Sequence, residues 1–75
     1  MNVERLVAMA NDIANFFLAE AGPDGAPREI ARHMNRFWEP RMRAAIHAHA
    51  LAGGHGLSAP ACAAARLLET APRAG

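Results

Sequence analysis

The sequence predicts an all-α protein, a small bundle of three to four helices with short turns and a disordered C-terminal tail. Three observations carry that expectation. Apolar residues recur at the helical period along most of the chain, and no stretch alternates as a half-buried strand would. Glycine and proline cluster at a few places that divide the periodic segments. Residues 1–70 are expected to form a single helical domain, and residues 71–75 a flexible tail.

The first helix is expected from about Val3 to Ala21, with Asn2 as its N-cap. Val3, Leu6, Val7, Ala10, Ile13, Ala14, Phe17, Leu18 and Ala21 share one face, with Glu4, Asn11, Asp12, Asn15 and Ala19 opposite. Met9 and Phe16 lie just beyond the edge of this stripe and widen the apolar arc to about half the helix. Either another helix of the chain covers them, or they form a second contact surface. Gly22-Pro23-Asp24-Gly25-Ala26 reads as a turn.

Pro27 suits the first turn of a second helix that ends near Trp38. Its stripe is Ile30, Ala31, Met34, Phe37 and Trp38, and Arg28, Arg32 and Arg36 line the reverse side. Pro40 disfavours helical geometry at Glu39, then opens a third helix reaching about Ala52. Met42, Ala45, Ile46, His49 and Ala52 share a face there, while Leu51 points away. Gly53-Gly54 closes it, because glycine accepts the left-handed conformation. A fourth, alanine-rich helix starts at Ser58 as N-cap, with Leu57 stapled onto Cys62, and runs toward Pro72.

A chain of 75 residues is one small domain, and its apolar burial barely offsets its conformational entropy. One cysteine, Cys62, excludes an internal disulfide, so another protein is the simplest source of further stability. The eight basic residues are all arginine, against seven acids. Such a balance argues against a general nucleic-acid or membrane-surface role. No apolar run approaches the ~20 residues of a membrane span, and the chain opens into a helix without a leader pattern, so a cytoplasmic protein is expected.

Catalytic chemistry finds little support. His47 and His49 diverge by about 160° on a helix and cannot share one ion. His33, His55 and Cys62 have no recognised ligand spacing, and His49 reads as a packed, hydrogen-bonded core histidine. Cys62 sits in an apolar first turn with no base nearby in sequence. The Gly53-Gly54-His55-Gly56 cluster lacks the strand-then-helix context of a nucleotide loop. No catalytic, cofactor-binding or metal residue is assigned.

Binding chemistry is better represented. Phe37-Trp38-Glu39-Pro40-Arg41-Met42-Arg43 brings half of the chain's four aromatic side chains together with a proline and two arginines. Trp and Arg are frequent interface anchors, and the proline lowers the cost of ordering them. Phe37 and Trp38 either pack the helix junction or fill a partner pocket, and Trp38, at the end of the apolar stripe, is expected to share both roles. Arg41 and Arg43 would bond partner carboxylates or carbonyls. The expected partner-binding set is Met9, Phe16, Phe37, Trp38, Arg41, Met42 and Arg43.

Three segments of the chain also resemble a known family. Leu6-Val7-Ala8-Met9-Ala10-Asn11-Asp12-Ile13-Ala14-Asn15-Phe16-Phe17 looks like the opening helix of the delta subunit of NAD-dependent, molybdenum-containing formate dehydrogenases. The segment from Phe37 to Arg43 is similar to that family's central signature, and Gly53-Gly54-x-Gly-Leu57 to its third block. The fit is poorest beyond Ser58. The resemblance implies a non-catalytic accessory subunit that binds, stabilises or helps assemble the complex. It implies the catalytic alpha subunit as partner. The larger subunits would carry bis-molybdopterin guanine dinucleotide, iron–sulfur clusters, FMN and NAD, and this chain none of them. In isolation it could form homodimers. The alternatives are a transient chaperone for molybdenum cofactor insertion, or a nucleic-acid-binding regulator using Arg28, Arg32, Arg36, Arg41 and Arg43.

Overall fold

The computed structural model of the chain describes residues 2–69. It contains three helices, α1 (Val3–Phe37), α2 (Pro40–Leu51) and α3 (Ala59–Arg66), with no strand among the described residues. The all-α expectation holds. Asn2 caps α1 as expected, its Oδ1 accepting from the backbone N–H of Glu4 at 2.8 Å and of Arg5 at 3.4 Å.

A straight helix as long as α1 would extend ~52 Å, yet the longest dimension of the molecule is 37 Å. The run doubles back at Gly22, whose φ of 77° and ψ of 171° lie in a region that only glycine enters without strain. Two limbs result, residues 3–21 and 23–37, packed as a hairpin. The expected turn over residues 22–26 is therefore corrected to a single residue, and the second limb starts one turn before Pro27. Pro23 takes the first helical position, where its missing N–H costs nothing. Pro27 then forfeits only its bond to the Pro23 carbonyl. Burial of Ala26 and Ile30 along the same limb offsets that loss.

The other boundaries follow the sequence signals closely. Trp38 and Glu39 are extended, and Pro40 opens α2. At the end of α2 the Gly54 N–H donates to the His49 carbonyl at 2.9 Å, with Gly53 and Gly54 both at positive φ. Ser58 caps α3, accepting from the Ala61 N–H at 3.4 Å. Helix α3 ends at Arg66, short of the expected Pro72. The Leu67 and Leu68 N–H groups tighten onto the Ala64 and Ala65 carbonyls, and Leu68 is buried. The expected tail at 71–75 lies outside the described residues.

The core runs through all three helices and is built mainly of small side chains. Ala10 and Ala14, Ala26, and Ala61, Ala64 and Ala65 are all buried around Ile30, Met34 and Ile46. Small residues at facing positions let helix axes approach closely. This is how the alanine-rich α3 packs most extensively on α1 despite its lack of large side chains. Met9 packs against the core, whereas Leu18 and Ala21, expected on the buried stripe, are exposed near the hinge. On α2, Ala50 is buried in place of the expected Ala52, and Leu51 is exposed.

The connection from α2 to α3 is pinned to the first limb by one side chain. Asn11 Nδ2 donates to the Gly56 carbonyl at 2.9 Å, and Asn11 Oδ1 accepts from the Ser58 N–H at 2.9 Å. Leu57 and Cys62, the expected staple pair, both flank Gly54. A Cβ at that glycine would stand 2.6 Å from Cys62 Sγ and 3.7 Å from Leu57 Cδ1.

Candidate partner interface

The hairpin brings rings from both limbs into one array. Phe16 meets Phe17 edge to face, with centroids 5.0 Å apart and planes at 82°. Phe17 on the first limb reaches His33 on the second at 5.9 Å, and His33 continues to Phe37 at 4.8 Å. The ends of the array face solvent: Phe16 is 59% and Phe37 66% exposed. Burying a phenylalanine fully is worth ~1.5–3 kcal/mol, so the exposed ring at each end of the array leaves apolar surface in water.

Two shallow depressions border the array. One, of about 290 Å³, is mostly apolar and is lined by Asp12, Ile13, Phe16, Phe17 and His33. The other, of about 160 Å³, is polar and is lined by Phe17, Glu29, Arg32, His33 and Arg36. Arg36 Cζ lies 5.6 Å from the Phe37 centroid, within cation–π range. Arg32 pairs with Glu29 at 3.7 Å, the one ion pair between side chains among the described residues.

The seven expected contact residues divide sharply. Phe16, Phe37 and Arg41 are exposed. Trp38 is only 6% exposed, so the packing part of its expected shared role is seen, and the indole belongs to the core at the helix junction. Met9 and Met42 are half-buried against that core. Arg43 turns inward: Nη1 donates to the Trp38 carbonyl at 2.6 Å and to the Asn35 carbonyl at 3.4 Å, and Nε to the Glu69 carbonyl at 3.3 Å. Within the chain its N–H groups thus serve three backbone carbonyls. Phe17, His33, Arg32 and Arg36 enter the surface without having been singled out for it. The four-residue spacing of His33 and Phe37 was a visible signal, but the Phe17–His33 contact depends on the fold at Gly22.

No group of three or more His, Cys, Asp or Glu residues among the described ones could hold a metal ion. His47 Nδ1 donates to the Ala65 carbonyl at 2.8 Å and His49 Nε2 to the His55 carbonyl at 2.7 Å, since a carbonyl only accepts. The two rings thus tie different parts of the chain, and His49, expected in the core, is only half-buried over the loop at His55. Among the described residues no helix is long and apolar enough to cross a membrane.

The family model for the NADH-dependant formate dehydrogenase delta subunit, FdsD, matches residues 5–65. The chain belongs to this family. The match spans both limbs of the hairpin, α2 and nearly all of α3, so it extends past Ser58, where the motif resemblance was poorest. No curated protein and no solved structure matches the chain. Membership of the delta subunit family implies association with the formate dehydrogenase complex.

Proposed function

We propose that the chain is a non-catalytic accessory subunit that binds the catalytic alpha subunit of a cytoplasmic, NAD-dependent molybdenum formate dehydrogenase and supports its assembly or stability. The observation that carries this reading is the delta subunit family match across most of the chain. The exposed aromatic array supports it, because a domain this small gains stability by covering such a surface with a partner. Arg41, exposed beside Glu39 and Pro40, adds a donor at the helix corner. On this reading bis-molybdopterin guanine dinucleotide, iron–sulfur clusters, FMN and NAD reside in the other subunits.

Coexpression with a tagged alpha subunit, with and without this chain, tests the proposal. Copurification in fixed stoichiometry, with higher molybdenum content and formate oxidation, is the expected result. A chain that raises molybdenum content but is missing from the purified active enzyme is a transient insertion chaperone instead. Unchanged yield, metal content and activity, with no copurification, refutes both.

A further inference from the structure

We infer that the array of Phe16, Phe17, His33 and Phe37, with Arg36 at its edge, is a docking site for a partner polypeptide segment that presents an apolar side chain with a carboxylate placed to meet Arg36. This inference rests on the accessory-subunit reading and names the surface and the partner chemistry.

Charge decides between possible occupants. Arg28, Arg32 and Arg36 follow one another at successive turns of the second limb, and Glu29 is the one acid among them. Glu29 is engaged by Arg32, which leaves Arg36 without a carboxylate among the described residues. Arg36 leans over the Phe37 ring, so its guanidinium stands at the edge of the apolar patch. An incoming carboxylate there would meet a fork of donors suited to bidentate pairing. Beside it, the depression over Ile13, Phe16 and Phe17 is nearly free of polar surface and fits one aliphatic or aromatic side chain. Nucleic acid fits less well, because Asp12 and Glu29 line the same depressions and the net charge of the chain is only +1.

The test uses the coexpressed complex with a tagged alpha subunit. Phe16→Ala combined with Phe37→Ala, and Arg36→Glu alone, are compared with wild type and with Leu51→Ala, which removes an exposed leucine outside the array. Trp38 emission and helical circular dichroism establish that each variant is folded. A hot-spot contribution corresponds to affinity about 30-fold weaker for the double phenylalanine variant. Arg36→Glu is expected to weaken binding about tenfold or more and to reduce its salt dependence. Leu51→Ala is expected to match wild type.

Wild-type retention of both array variants overturns the inference while leaving the accessory-subunit reading intact. Loss with the phenylalanine variant but not with Arg36→Glu overturns the acidic character of the partner. A wild-type chain that fails to copurify at all overturns this inference together with the reading beneath it. A chain that dimerises alone, and loses the dimer but not the complex on Phe37→Ala, assigns the array to a second copy. Tight binding of a labelled single-stranded RNA, abolished by Arg36→Glu, overturns the inference in favour of nucleic acid.

Discussion

Arg43 and Trp38 are joined across the Glu39–Pro40 corner by a 2.6 Å hydrogen bond from Arg43 Nη1 to the Trp38 carbonyl. The carbonyl belongs to the residue that caps the C-terminus of α1, and the guanidinium comes from the first turn of α2. Further bonds to the Asn35 and Glu69 carbonyls make Arg43 the tie among both helices and the chain leaving α3. Arg43→Met is expected to cost ~1.5–3 kcal/mol, as for hydrogen bonds to a charged group. Arg43→Lys should recover little, because an ammonium cannot reproduce the planar fork. The urea midpoint followed by Trp38 emission measures both; an unchanged midpoint for Arg43→Met contradicts the tie.

Trp38 and its neighbour Phe37 should respond oppositely to truncation. Trp38→Ala opens a cavity at the helix junction and is expected to cost ~3–5 kcal/mol. Phe37→Ala removes an exposed ring and should stay within ~0.5 kcal/mol in the isolated chain. Thermal melts by circular dichroism separate the two, and equal melting temperatures would contradict the core placement of Trp38.

Gly22 holds the hairpin by backbone conformation alone. A Cβ there meets nothing within 4 Å, so any penalty on Gly22→Ala is conformational. We expect a loss of ~1–3 kcal/mol. D-alanine introduced at position 22 by chemical synthesis suits a positive φ and should restore stability. A D-alanine chain no more stable than the L-alanine one would argue against the kink.

Gly54 combines two constraints, and a double-mutant cycle separates them. Its φ of 65° strains any L-residue, and its added Cβ would also collide with Cys62 Sγ at 2.6 Å. Gly54→Ala should therefore be less damaging when Cys62→Ala is present. The expected coupling is ~0.5–3 kcal/mol, read from four denaturation curves. Additive effects would mean that the sulfur and the glycine do not meet.

Asn11 uses an amide donor and an amide acceptor together, so no simple replacement serves. Asn11→Asp keeps the acceptor for the Ser58 N–H but loses the donor to Gly56 and places a carboxylate against its carbonyl. Asn11→Ala loses both bonds. Each is expected to cost ~1–2 kcal/mol at about one net hydrogen bond per contact. Hydrogen exchange at the Ser58 amide should accelerate most in Asn11→Ala, and unchanged protection there would contradict the bridge.

The boundaries legible in the sequence are those set by a single residue's chemistry: the Asn2 cap, the proline at 40, the glycines at 53 and 54, and the Ser58 cap. The connector at 22–26 misled because its turn signals are real but excessive. One glycine suffices to reverse the chain, and burial of Ala26 draws the rest into helix. The early end of α3 is not legible either, since its alanines favour helix and no glycine or proline stands at Leu67 or Leu68. In the candidate site, Phe16 and Phe37 could be read one at a time. Their linkage could not, because Phe17 and His33 are 16 positions apart and meet only through the hairpin. The intrachain role of Arg43 is not legible in the sequence, because residue type alone does not distinguish an outward anchor from an inward tie.

The ring array is a composite surface, half from each limb of one hairpin. An open chain has no such array, only isolated rings that any unfolded polypeptide displays. A protein that grips both halves at once distinguishes closed from open, and by mass action it draws the population toward the closed form. On the docking proposal above, the reversal at Gly22 makes recognition conditional, because the array exists only once the chain has folded.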